Sequence, residues 1–129
     1  MEYTVYLDAH NTSNYQHRFV LADQHNVEKG FAGGMLTNNG GETFFYLEFI
    51  LIKSEADRQS DSRLGTKLLK EVESFAKDNG MDYISGEFGN YELYKSPEEA
   101  EKALTNFYGK NGYQFRHFPN SIKFFKKIN

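Results

Sequence analysis

The sequence has no cysteine, which removes disulfides, thiolate metal sites and thiol nucleophiles together. That is compatible with a reducing compartment, and a cytoplasmic location is the expectation. No apolar run approaches the roughly 20 residues that cross a bilayer, so no membrane span is expected. Met1-Glu2-Tyr3-Thr4 lacks the basic stretch and apolar core of a secretory signal. His10, His17, His25 and His117 show no metal-ligand spacing and no HExxH motif exists, so no metal is expected. Serine nucleophile elbows and Walker loops are missing as well. No internal repeat, low-complexity tract or linker interrupts the chain. Positive charge is also in short supply: the formal net charge is −3, and a nucleic-acid-binding domain is usually far more basic.

What is present fits one domain, residues 1–129, with a single two- or three-layer core. Hydrophobic content of 39% against 26% charged describes a globular chain rather than a disordered one. Twelve Phe and nine Tyr point to a core built on rings. Charge is uneven. Residues 1–60 hold 4 Lys+Arg against 8 Asp+Glu, a net of −4, and residues 61–129 hold 11 against 10, a net of +1. The basic C-terminal end suits either an anionic ligand or a strand edge guarded by lysines.

Strands come first. Tyr3 to Leu7, His17 to Leu21 and Phe31 to Leu36 read as short strands, the first two joined by a turn at Asn11-Thr12-Ser13-Asn14. Gly33-Gly34 marks a bulge or a close backbone approach. Asn38-Asn39-Gly40-Gly41 is a hairpin signal. The run from Thr43 to Ile52 is aromatic and β-branched, and predicts a long strand buried on both faces.

The period then changes from two to 3.6. Leu64, Leu68, Val72, Phe75 and Ala76 form one stripe of an amphipathic helix starting near Ser62, with Ser60, Asp61 and Ser62 as candidate N-caps and Gly80 beyond its end. Met81 to Phe88 reads as a strand. Ser96-Pro97-Glu98-Glu99 opens a second helix with a cap, a proline in the first turn and a capping-box acid. Its buried stripe is Ala100, Ala103, Leu104 and Phe107, and Gly112 closes it. Tyr113 to Phe118 and Ile122 to Ile128 finish the chain as a hairpin turning at Pro119-Asn120. A strand–helix–strand crossover makes parallel neighbours. Residues 43–52 and 81–88 should therefore run parallel inside an otherwise antiparallel sheet, an α+β architecture with two main helices.

The polar stretch from Lys53 to Ser62 enters that first helix. A helix N-terminus presents unpaired N–H groups and the positive end of its dipole, which suits a phosphate. Gly65 in the first turn leaves room for a ligand against the backbone, and Arg58, Arg63 and Lys67 offer countercharge. Arg63-Leu64-Gly65-Thr66-Lys67-Leu68-Leu69 resembles the pyrophosphate loop of the GNAT superfamily of acyl-CoA-dependent N-acyltransferases. That loop runs Gln/Arg-x-x-Gly-x-Gly/Ala into an apolar helix. Gly65 matches the last glycine, while Arg63 stands at the first glycine and Ser60 at the Gln/Arg position. Phe107-Tyr108-Gly109-Lys110-Asn111-Gly112-Tyr113 is similar to the same family's Phe-Tyr-x-Lys-x-Gly-Phe signature. Lys102 stands where many members carry an Asn that contacts pantetheine. The likeness covers residues 43–129, and the family's usual pair of N-terminal helices has no counterpart.

The resemblance implies a GNAT-like sheet and direct transfer of an acetyl group from acetyl-CoA to a primary amine. It places the cofactor on Ile52, Lys53 and Ser54 for the pantetheine arm, and on Ser62, Arg63, Leu64, Gly65, Thr66 and Lys67 for the pyrophosphate. Tyr108 matches the acid that protonates the leaving thiolate. A backbone N–H near Ile50 to Ile52 would meet the oxyanion. An amine is mostly protonated at neutral pH, so a base is needed, and Glu48 is the one acid inside the long apolar run. By strand alternation Glu48 shares a face with Tyr46, Ile50 and Ile52. Phe88, Tyr91 and Tyr94 either line an acceptor pocket or cover the core. The acceptor is a small molecule, peptide or protein amine, and a homodimer is compatible with the sequence. Two other readings stay open: a CoA-binding or interaction module on this fold without turnover, and an unrelated α+β domain whose acidic half meets a basic partner.

Overall fold

The computed structural model describes residues 2–12, 16–59 and 63–129, with backbone only for Asn11 and Gln59. Seven strands form one sheet: β1 (Tyr3–Leu7), β2 (Gln16–Asp23), β3 (Glu28–Asn39), β4 (Glu42–Ile52), β5 (Tyr83–Glu87), β6 (Gln114–Phe118) and β7 (Ser121–Lys127). Their order across the sheet is β1-β2-β3-β4-β5-β7-β6. Every neighbouring pair is antiparallel except β4 and β5, which run parallel, as the crossover requires. The helices are α1 (Glu55–Gln59), α2 (Leu64–Asp78) and α3 (Pro97–Lys110), the first a short turn inside the segment expected to be loop.

Local chemistry explains most boundaries. Gly40 and Gly41 both take positive φ (60° and 91°), closing a two-residue turn between Asn39 and Glu42. The turn expected around Asn11 is a 3-10 turn at Ala9–Asn11, where the Asp8 carboxylate accepts from the His10 N–H; residues 13–15 lie outside the described part. In α3 the Ser96 hydroxyl oxygen accepts from the Glu99 N–H at 3.1 Å, with Pro97 in the first turn. Helix α2 starts two residues later than expected. Its N-cap is Arg63, without a side-chain cap bond, and the candidate caps Ser60, Asp61 and Ser62 lie outside the described residues.

Helix α2 lays its apolar stripe on the sheet. Leu64, Leu68, Leu69, Val72 and Ala76 are buried against Phe19, Leu21, Ala32, Phe45 and Leu47. Phe75 reaches the rings of His17, Phe19 and Phe45. Strand alternation turns Gln16, Arg18 and Phe31 to the opposite face, where the Arg18 guanidinium covers the Phe31 ring and pairs with Asp8 and Glu28. Helix α3 sits on the same face as α2, over β5 and β7, where Tyr108 stacks on Phe124. β4 is therefore not buried on both faces: Phe45 and Leu47 are buried, whereas Phe44, Tyr46 and Phe49 are only partly covered.

The Gly33-Gly34 signal is a bulge. Leu47 pairs with Gly34 and Phe49 with Gly33, so Glu48 is the extra residue. Neither glycine has room for a Cβ, which would strike the Phe49 ring at one position and the Tyr46 carbonyl at the other. The bulge shifts the alternation by one. Beyond it Ile50 and Ile52 join the core face of Phe45 and Leu47, so the expected sharing of one face by Glu48, Ile50 and Ile52 is corrected.

Candidate active site

The two parallel strands stay together only briefly. Phe44 to Leu47 of β4 pair with Tyr83 to Gly86 of β5. Past that point β4 continues beside β3, with Ile52 opposite Gly30, while β5 follows β7, and the Phe88 N–H donates to the Ile122 carbonyl. The strands part on the β4 side at Glu48.

The parting opens into a cavity of about 350 Å³ on the helix-bearing face. Ile50, Leu51 and Ile52 form one wall, and Ala103, Leu104, Asn106, Phe107 and Lys110 of α3 the other. The first turn of α2, from Arg63 to Thr66, heads it; Asn90, Leu93 and Tyr94 close it from the segment before α3. A helix leaves its first N–H groups without intrahelical acceptors, and here those of Leu64, Gly65 and Thr66 belong to cavity-lining residues. The first i→i−4 bond of α2 runs from the Lys67 N–H to the Arg63 carbonyl.

Arg63 has φ 60° and ψ 26°, the left-handed conformation. This is the position at which the resembling loop carries its first glycine. The backbone shape that glycine would supply at no steric cost is kept here by an arginine, at a cost of about 1–2 kcal/mol. Arg58 is not a free countercharge. Its Nη1 donates to the Ile52 carbonyl at 2.8 Å and to the Lys53 carbonyl at 3.1 Å, fixing its charge at the end of β4.

Gly65 lines the cavity, but its missing side chain serves packing. A Cβ there would lie 2.9 Å from the Phe107 ring, so Phe107, rather than a ligand, fills the space the glycine leaves. The two matched motifs touch again at Thr66, whose Oγ1 accepts from the buried Asn111 Nδ2 at 3.2 Å. Asn111 Nδ2 also donates to the Phe107 carbonyl. Of the remaining residues expected at the cofactor, Ile52 lines the cavity. Lys53, Ser54 and Lys67 are not on its wall. Lys53 pairs with Glu28, and the Ser54 hydroxyl accepts from the Asp57 N–H. Ser62 lies outside the described residues.

Glu48 is exposed at the bulge, and its Oε1 accepts from Gln16 Nε2 at 3.2 Å. Gln16 is on the opposite face from α2, so Glu48 points away from the cavity, toward the other side of the parted strands. Glu87 comes near from β5. Burial, then the charges of Glu87 and Glu48, hold the Tyr46 phenol above its ordinary value. The arrangement has two sides: a cavity under the helices and, over the sheet, a surface where Glu48 meets Gln16 and Glu87 pairs with Lys123 at 3.7 Å.

Tyr108 is almost fully buried, 4% exposed, stacked on Phe124 at 3.9 Å and on Phe88 at 5.9 Å, with Tyr113 edge-on at 5.5 Å. It is not on the cavity wall. Burial pushes its phenol well above the ordinary value. Tyr94 does reach the wall, partly buried. Of the residues expected either to line an acceptor pocket or to cover the core, Phe88 covers the core, whereas Tyr94 lines this cavity under the helices, on the face away from Glu48. Asn106 was not singled out from sequence, and neither was Asn90, whose left-handed φ of 57° turns the chain into the wall. Lys102 is exposed and off the wall; Asn106, one turn further along α3, brings an amide to it.

Neither a scan against family models nor a search of curated proteins returns a match. Solved structures do match. A provisionally assigned acyl-CoA N-acyltransferase from Klebsiella pneumoniae superposes with a TM-score of 0.73 at 19% identity, covering 98% of each chain. A GNAT-family acetyltransferase from Staphylococcus aureus gives 0.64 at 16% identity, over 90% of this chain and 72% of that one. An aminoglycoside 6'-N-acetyltransferase solved with coenzyme A gives 0.67 at 19% identity, over 89% and 74%. The likeness is one of fold: a seven-stranded mixed sheet with one parallel pair and two main helices, the GNAT architecture.

Proposed function

We propose that this chain is an N-acyltransferase that moves an acetyl group from acetyl-CoA to a primary amine by direct transfer. The observation that carries the reading is the parting of β4 and β5, which opens a cavity under α2 and α3 while Glu48 faces the other side. The residues present fit an acyl-CoA thioester. The wall formed by Ile50, Leu51, Ile52, Leu104 and Phe107 suits a slender arm, and Asn90 and Asn106 can bond its amides. The N–H groups of Leu64 to Thr66, which lack intrahelical acceptors, with Arg63 beside them, suit a diphosphate. Past the parting, N–H groups of Phe49 to Ile52 on the β5 side are candidates for the oxyanion.

On the opposite face Glu48 receives the proton that the amine must lose, directly or through one water. Acetyl donor and amine then approach from the two sides of one sheet and meet at the gap. The acceptor is a small molecule, peptide or protein amine. A second reading, a CoA-binding module without turnover, draws on the strained Arg63 and on Gly65 being filled by Phe107. Calorimetry with CoA and acetyl-CoA, followed by an amine panel read through free-thiol release, tests both. Binding with release on at least one amine supports the enzyme, binding without release supports the module, and no binding removes both.

A further inference from the structure

The leaving thiolate needs a proton, and two phenols are near the cavity. We propose that Tyr94, not the deeper Tyr108, is the catalytic acid that protonates the departing sulfur; this rests on the acyltransferase reading above. The first argument is access. Tyr94 is on the wall, and the Tyr108 ring lies off it, packed on Phe88, Phe124, Phe107 and Tyr113.

The second argument concerns the anion an acid leaves behind. A phenol that gives up its proton becomes a phenolate, and an unpaired charge in an apolar cage is costly. The Tyr108 phenolate would form among rings, and among the described residues no cation acts on its phenol. Tyr94 shares its cavity with Arg58, whose guanidinium is fixed by two carbonyl bonds and whose charge acts on the phenol. Burial raises the Tyr94 phenol, and Arg58 works against that rise. Tyr94 in turn contributes to the upward shift of Tyr108. The other charged groups facing the cavity are Glu55, Asp57, Arg63 and Lys110.

The step balances. The amine nitrogen bonds to the acetyl carbon, the C–S bond breaks, and its electron pair leaves on sulfur. The Tyr94 O–H proton goes to that sulfur, giving free thiol and a phenolate held beside Arg58. The proton shed by the nitrogen passes to Glu48 and solvent, and one from solvent restores Tyr94. An ordinary thiol near pKa ~8.5 and a phenol near ~10 make the transfer uphill unless the phenolate is stabilised, which is what a fixed cation provides.

The test compares Tyr94→Phe with Tyr108→Phe in the intact chain by two readouts. The first is kcat for acetyl transfer from acetyl-CoA, with CoA affinity by calorimetry as the check on folding and binding. Tyr94→Phe should lose roughly 10²-fold or more in kcat, as loss of a positioned acid does, with the CoA Kd nearly unchanged. Its loss should exceed that of Tyr108→Phe by at least about tenfold. The second readout needs no turnover: the thiolate absorbance of bound CoA followed against pH. Removing a hydroxyl that donates to sulfur should raise the apparent pKa of the bound thiol by about one unit in Tyr94→Phe. Losses of equal size in the two variants, a larger loss in Tyr108→Phe, or an unshifted thiol in Tyr94→Phe each overturn the inference and leave the acyltransferase reading standing. A wild-type chain that fails to bind CoA overturns both.

Discussion

The two halves of β4 are continuous in sequence and have opposite fates. From Phe44 to Leu47 the strand is bonded on both sides, to β3 and to β5, and Phe45 and Leu47 are sealed. From Glu48 to Ile52 it keeps β3 but loses β5, and a cavity takes the vacated side. One inserted residue at the bulge separates the halves. The first half shows what closing a sheet gives, a tight ring-packed core. The second shows what opening it gives: backbone groups available to a ligand, and a passage from one face to the other. The largest test of this contrast is therefore a pair of truncations. Phe45→Ala, at 0% exposure, should cost about 3–5 kcal/mol. Ile50→Ala, half-covered on a wall already open, should cost only about 1–2 kcal/mol, because little new void is enclosed. Urea unfolding midpoints at constant slope would show it; equal costs would mean the second half is as closed as the first.

Next in size is the boundary residue itself. Glu48→Gln keeps the bond geometry to Gln16 but removes the charge. The variant should bind acetyl-CoA like wild type and lose about 10²-fold in transfer rate at neutral pH. The ratio of the two rates should narrow toward alkaline pH, where more of the amine is already deprotonated. A flat ratio from pH 6 to 10 would make Glu48 a structural member of the bulge and send the search for a base to Glu87, across the gap.

Much of the fold was legible because its signals are local. β1 and the Gly40-Gly41 turn fall where read, α2 carries its stripe within two residues of the expected start, and the Ser96 cap holds the bond its spacing promised. From those elements the parallel pair followed. The site was legible only in outline. Residues 64–66 and Ile52 do meet at one cavity, but Lys53 and Ser54 face away from it, because Glu28 and α1 engage them. Alternation failed beyond Leu47, since the glycine pair that signals a bulge does not say which strand gains the residue. The depth of Tyr108 was illegible for a different reason. It depends on Phe88 just past β5, Tyr113 just before β6 and Phe124 within β7 converging on it, which no spacing reveals. The same holds for Gly65, whose partner Phe107 is far along the chain.

That pairing gives a third, smaller test. Gly65→Ala adds a methyl 2.9 Å from the Phe107 ring, against a helix-propensity gain of about 1 kcal/mol. The substitution should be destabilising by about 1 kcal/mol in the wild-type background. In a Phe107→Leu background the clash is gone, and the same substitution should become stabilising. A double-mutant cycle reads the reversal directly. Additive effects would free Gly65 from its packing role and return it to the ligand.

The smallest expected effect is at Arg63, and it separates backbone from charge. The residue holds a left-handed turn at the head of the cavity, a conformation that costs an L-residue about 1–2 kcal/mol. Glycine removes that cost but loses more chain entropy on folding, about 0.5–1 kcal/mol, so Arg63→Gly should stabilise by only about 0.5 kcal/mol. It also removes a cation from beside the open N–H groups of α2. If a diphosphate binds there, the same variant that melts higher should bind CoA several-fold more weakly, and the loss should shrink as salt is added. Arg63→Ala separates the two contributions. Alanine keeps the strained backbone and drops the charge, so it should weaken CoA as much as glycine does while giving none of the gain in stability. Should both variants bind CoA like wild type, the charge at 63 plays no part in the site. The arginine would then be a tolerated residue in a turn whose shape, not whose charge, the cavity requires.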